Sequence, residues 1–143
     1  MSDPLAKAGR LVTLMAQIPY IQFLGMEAQV EGSVLTCQLP FSDHLVGNSQ
    51  LPALHGGVIG AFMEMTALIE LNLRAPPGAK SPRTIDVTVD YLRPGRQHTT
   101  FARARVQKAG RRIASVHVEA WQDDPAKPVA AMRGHFMLAH DDD

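Results

Sequence analysis

His55-Gly56-Gly57 opens an apolar stretch whose one early carboxylate is Glu64. A helix beginning there presents bare backbone N–H groups, and such a helix start binds a developing oxyanion. A carboxylate supplies the other half of carbonyl chemistry, as a nucleophile or as the base that deprotonates a water. Gly56 and Glu64 are separated by roughly 12 Å along one helix, at a rise of about 1.5 Å per residue. One helix cannot bring both to one carbon. Two antiparallel helices from paired subunits can, with Gly56 of one facing Glu64 of the other, and a two-fold axis then generates two equivalent sites. The spacing predicts a homodimer as the catalytic unit.

Each of these residues also has a plainer reading. Glu64 as a buried structural carboxylate is disfavoured, because an unpaired buried charge is costly. Glu70 lies well round the helix from it and is expected to face a loop or solvent. His55 serves equally well as a helix cap or as a direct participant. Gly56 and Gly57 permit close packing of helix on sheet, which is compatible with opening an N–H to a ligand. His117, Glu119 and His135 fall on strand faces where a metal site is conceivable. Cross-strand pairing with Arg103, Arg105 and Arg133 accounts for them better, and no metal is assigned.

The elements that must hold these groups follow from periodicity. Apolar residues spaced by three and four over 5–18 predict an amphipathic helix ended by Pro19. Segments 21–30 and 33–41 flank Glu31-Gly32 and read as a hairpin. Segment 42–52 is a loop, and 56–73, apolar nearly all round, is a buried helix stopped by Ala75-Pro76-Pro77-Gly78. Four strands then alternate with period two. In the first of them Thr84, Asp86, Thr88 and Asp90 are expected on one face against Ile85, Val87, Val89 and Tyr91. Pro94-Gly95, Gly110-Arg111 and Asp123-Asp124-Pro125 mark the turns between strands. The order predicts an α+β fold: an antiparallel sheet of about six strands with one face wrapped on the long helix. One helix cannot cover such a sheet, which again points to subunit pairing.

The chain of 143 residues, 45% hydrophobic and 20% charged, fits one domain spanning 1–143, with 1–20 as an N-terminal helix and 139–143 as a short acidic tail. Fourteen Lys and Arg balance fourteen Asp and Glu, so no overall positive field favours nucleic acid or an anionic membrane. Cys37 is the sole cysteine, which excludes an internal disulfide and a multi-cysteine zinc site, and its apolar setting predicts a core residue. The first 25 residues lack the apolar h-region of a secretory signal, and the apolar runs are expected to fall short of a membrane span, so a cytoplasmic protein is anticipated. No Gly-x-Ser-x-Gly elbow, P-loop or dinucleotide fingerprint is present.

Leu54-His55-Gly56-Gly57-Val58, Glu64 nine residues after the histidine, Thr84 opening the next strand and Tyr91-Leu92-Arg93-Pro94 closing it form an ordered set. That set resembles the hotdog-fold acyl-CoA thioesterases of the phenylacetate-pathway and 4-hydroxybenzoyl-CoA type, over about 21–138. The resemblance implies that the Gly56 N–H polarises the thioester carbonyl and that Glu64 is nucleophile or general base. It further implies that His55 helps arrange the site, with Gly57 beside it a substrate-binding candidate, that Thr84 holds the attacking water, and that no cofactor or metal takes part. A family Asn or Gln usually stands where this chain has Ser49, so Asn48, Ser49 and Gln50 are all candidates for that position. Among the basic residues near strand ends, Arg93 and Arg112 are the choices for the coenzyme A phosphates. The implied partners are an acyl-CoA substrate and a second copy of the chain, with a dimer of dimers as the larger assembly. Two alternatives share the fold: an acyl-CoA-binding sensor without turnover, and an acyl-thioester hydratase or dehydratase. Release of free thiol separates hydrolysis from both.

Overall fold

The computed structural model describes residues 4–47, 53–76 and 78–138. Two helices precede the sheet, α1 (Pro4–Ala16) and α2 (Pro19–Leu24). The first helix stops at Ala16, short of Pro19, and Pro19 instead begins another helix, because proline at a first helical position loses no hydrogen bond and is already set to the helical φ. The strand expected from residue 21 therefore starts later. Ile21 and Leu24 are fully buried on α2, and Gly25, at φ 76°, closes it with its N–H on the carbonyls of Ile21 and Gln22.

The strands are β1 (Glu27–Glu31), β2 (Val34–Leu39), β3 (Arg83–Tyr91), β4 (Thr100–Ala109), β5 (Ile113–Trp121) and β6 (Ala130–Met137), with a 3-10 turn at Asp43–Leu45. The hairpin forms as expected, with Glu31 opposite Val34 and Gly32 at φ 62° in the turn. All pairings are antiparallel, in the order β1-β2-β4-β5-β6-β3, so β3 forms one edge. One face carries Ala102, Ala114, Val116, Val118, Ala120, Ala130, Met132 and Phe136, all buried. The other carries the row Arg105, His117, Arg133 and Thr88, set opposite one another across four strands.

The alternation expected in β3 does not survive to its start. Thr84 pairs with Phe136 and Asp86 with the next residue back, His135, so Ile85 is an extra residue in a β-bulge. Cross-strand partners share a face. Thr84 thus turns inward beside the buried Phe136, while Asp86 stays outside against His135, their side chains 2.8 Å apart. Thr84 and Asp86, expected on one face, lie on opposite faces.

The helix α3 (Gly56–Arg74) lies along the inner face of the sheet. Ile59, Phe62, Met63, Ala67, Ile69, Leu71 and Leu73 are buried against it, whereas Val58, Met65 and Leu68 remain half-exposed. By length and composition this 19-residue helix, of mean hydropathy 1.2, does reach what a membrane span needs, contrary to the sequence expectation. Its buried face belongs to the core of the domain. Glu70 also departs from expectation: it is buried rather than turned to solvent, and its carboxylate accepts from Arg74 Nε at 2.9 Å, one turn along. Beyond the helix end, the Arg10 guanidinium donates to the carbonyls of Asn72 and Ala75, both at 2.9 Å, tying α1 to the C-terminus of α3. Cys37 is a core residue, as expected.

Candidate active site

The start of α3 leaves four backbone N–H groups without partners four residues back in the helix, those of residues 55–58, and that of His55 donates to the Leu45 carbonyl at 2.9 Å. His55, in extended geometry at φ −62° and ψ 133°, caps the helix, and its Nδ1 accepts from the Gly57 N–H at 2.9 Å. The His55 carbonyl accepts from Val58 and Ile59 at 3.0 and 3.2 Å. Three of the four donors are therefore committed, and among the described residues the Gly56 N–H has no acceptor. Of the two glycines, it is Gly56 whose N–H stays uncommitted among the described residues, at the positive end of the helix.

The same bond fixes the histidine. With Nδ1 accepting from a backbone amide, the neutral ring carries its proton on Nε2. A side chain at Gly47 would collide with this ring, so the loop backbone closes directly against it. Of the two readings of His55, the capping one is made explicit by the geometry, and it is also what distinguishes the Gly56 amide from its neighbour.

Glu64 lies two turns farther along α3 and is half-buried. Its Oε2 accepts from the Thr84 hydroxyl at 2.7 Å. The bulge at Ile85 makes this contact possible, since unbroken alternation would aim Thr84 away from the helix. A carboxylate held through one oxygen keeps its other oxygen for an incoming group. The helix and β3 run past each other so that Gly56 meets Tyr91 and Glu64 meets Thr84, placing both half-sites along one α3–β3 flank.

Tyr91 is the residue that side-chain chemistry alone does not single out. It belongs to the Tyr91-Leu92-Arg93-Pro94 segment that carries the family resemblance, yet nothing in the sequence indicates that its hydroxyl donates to the Gly56 carbonyl at 2.7 Å. The closest sequence-level signal is the pair Gly56 and Gly60, one turn apart, since a Cβ on either would sit 3.3 to 3.4 Å from the tyrosine. Beside them, a cavity of about 320 Å³ is walled by Leu54, Ile59, Tyr91, Leu92, Arg93 and Pro94.

The remaining candidates separate. Arg93 lies at this cavity and donates to the Pro128 carbonyl at 2.6 Å. Arg112 lies in the turn before β5, whose first residue pairs with Met137 opposite the start of β3, so the two arginines sit toward opposite ends of the sheet. Asn48, Ser49 and Gln50 lie outside the described residues, as does the acidic tail. His135 pairs with Asp86 on the outer face, away from Glu64. Among the described residues no group of three His, Cys, Asp or Glu side chains is placed to hold a metal ion.

Residues 51–129 match the thioesterase superfamily. A curated relative, the medium/long-chain acyl-CoA thioesterase YigI of Salmonella typhimurium, is 31% identical over 123 residues, covering 75% of this chain and 77% of the relative. A crystal structure of a Chromobacterium violaceum protein superposes with a TM-score of 0.74 at 39% identity, covering 92% of this chain and 91% of the other. The PaaI protein of the Escherichia coli phenylacetic acid degradation operon shares the fold, with a TM-score of 0.80 at 19% identity over 96% of this chain and 97% of the other.

Proposed function

The chain belongs to the thioesterase superfamily, with its six-stranded hotdog sheet around one long helix, and from that premise we propose that it hydrolyses medium- or long-chain acyl-CoA thioesters to a free acid and coenzyme A. The observation that carries the reading is the α3–β3 flank, which offers an uncommitted amide at Gly56 and an oriented carboxylate at Glu64. The chain length is taken from the name of the YigI relatives. The carbonyl oxygen of the substrate accepts from the Gly56 N–H, which stabilises the negative charge as the tetrahedral intermediate forms. Glu64 either removes a proton from the water that attacks the carbon or attacks it directly to form a mixed anhydride that a water then hydrolyses; in both the C–S bond breaks and the coenzyme A thiolate takes up a proton as it leaves.

The two groups come from different subunits in this reading. β3 is a sheet edge, and along it Ile85, Val87, Tyr91 and Leu92 are exposed. An exposed edge with apolar side chains favours pairing with another strand. A second β3 laid antiparallel on the first brings a second α3 alongside in the opposite direction, with the Gly56 end of each facing the Glu64 turn of the other.

Thiol release from a panel of aromatic, medium-chain and long-chain acyl-CoA thioesters tests the proposal. The medium- and long-chain substrates are expected to give the highest kcat/KM. Glu64→Ala is expected to lose turnover by at least about a thousandfold while keeping the wild-type melting temperature, since the residue is half-buried and forms no ion pair among the described residues. Wild-type turnover in a folded Glu64→Ala protein would overturn the assignment.

A further inference from the structure

We infer that Tyr91 is a positioning residue for this reaction, whose hydroxyl and ring hold the first turn of α3 so that the Gly56 N–H stays aimed at the thioester oxygen. The inference rests on the hydrolytic reading of the site.

A helix that begins with two glycines has the least backbone restraint where an oxyanion donor needs the most. Two contacts from outside the helix make up the deficit. His55 Nδ1 holds the Gly57 N–H, and the Tyr91 hydroxyl holds the carbonyl of the same peptide unit, that of Gly56. The Gly56–Gly57 peptide plane is thus gripped at both ends, and each hydrogen bond polarises the other through the amide. The plane before it, which carries the Gly56 N–H, is held by its own carbonyl on Val58 and Ile59. With the planes on both sides of the Gly56 α-carbon fixed, the direction of its N–H is fixed.

Two features mark the Tyr91 contact as positional. Gly56 O already has an amide donor in the helix ladder four residues on, so the tyrosine occupies its second lone pair and relieves no orphaned group. Tyr91 is also 55% exposed, so it contributes little to the core. Its ring nevertheless covers the helix start closely enough that a Cβ at Gly56 would lie 3.3 Å from it. The anchor sits at the end of a strand that is hydrogen-bonded into the sheet along its length.

Tyr91→Phe removes the hydroxyl and keeps the ring. Assayed beside wild type, it is expected to lower kcat by about tenfold to a hundredfold, with KM changed less than about twofold and the melting temperature preserved. A second readout does not require turnover. In a Glu64→Gln background, the infrared carbonyl stretch of a bound ¹³C-labelled acyl-CoA is expected to move back toward its solution frequency when Tyr91→Phe is added. A wild-type kcat in Tyr91→Phe, or a loss confined to KM with an unchanged carbonyl frequency, overturns the inference. Absence of thiol release by the wild-type protein would instead overturn the hydrolytic reading, and the carbonyl frequency would still report on Tyr91.

Discussion

Glu64 and Glu70 occupy the same helix, and the contrast between them shows what residue type and spacing can reveal. Glu64 stood out because it is the one acid early in an apolar run, and it is held by Thr84 at 2.7 Å. Glu70 was expected outside and lies inside, because a helix apolar on nearly every side has no sequence-visible outer face, and Arg74 one turn on supplies the partner that makes burial tolerable. The negative charge of Glu70 also reaches Cys37 through the core. Burial pushes the Cys37 thiol up to about 12; a hydrogen bond from Thr66 works against that, and the negative charge of Glu70 adds to it. The thiol is therefore more strongly protonated in the folded chain than in the unfolded one, where its value is 9.0. Between those two values the unfolded state binds fewer protons, so stability falls as pH rises, at up to about 1.4 kcal/mol per pH unit from this group alone. Urea midpoints of wild type and Cys37→Ala, compared from pH 8 to pH 11, are expected to converge as the wild type loses that contribution. Parallel curves would show that the thiol stays protonated when unfolded or ionises readily when folded.

Among the elements, α3 was legible almost to the residue, with 56–73 expected and Gly56–Arg74 found. Its limits are written in covalent chemistry, a capping histidine before two glycines and a Pro-Pro-Gly after the last turn. The short α2 was not legible, since six residues carry too little periodicity and its stability comes from burying Ile21 and Leu24. The bulge in β3 was equally hidden, because an extra residue in a strand has no signature until the partner strand fixes the register. That hidden feature decides where Thr84 points. Thr84→Val keeps the bulge and the branched shape of the side chain and removes only the hydroxyl that holds Glu64. Loss of a hydrogen bond to a charged group is worth about 1.5 to 3 kcal/mol, so kcat is expected to fall roughly tenfold to a hundredfold in a protein that still folds. An unchanged kcat would mean that the catalytic carboxylate needs no hydroxyl partner.

At the scale of the whole molecule, the proposed site calls for two copies because Gly56 and Glu64 sit on one helix, which the structure keeps two turns apart. The proposed pairing along β3 makes a prediction that no single-subunit arrangement shares. Gly56→Pro removes the donor N–H; the first helical position tolerates proline and His55 already has the extended backbone that precedes one, while the new Cβ, 3.3 Å from the Tyr91 ring, requires that exposed ring to shift by a few tenths of an ångström. Gly56→Pro and Glu64→Ala are each expected to be inactive alone. In a heterodimer of the two, one site combines the intact Gly56 of one subunit with the intact Glu64 of the other, while the second site lacks both. Random mixing makes about half of the dimers hetero, each with one working site, so an equimolar co-refolded mixture is expected to recover about a quarter of wild-type thiol release. The recovery should vanish on dilution below the dimer dissociation constant and appear only after subunits exchange. A mixture that forms heterodimers and stays inactive would place donor and carboxylate in the same subunit, and would require α3 to unwind between them to bring both to one carbon.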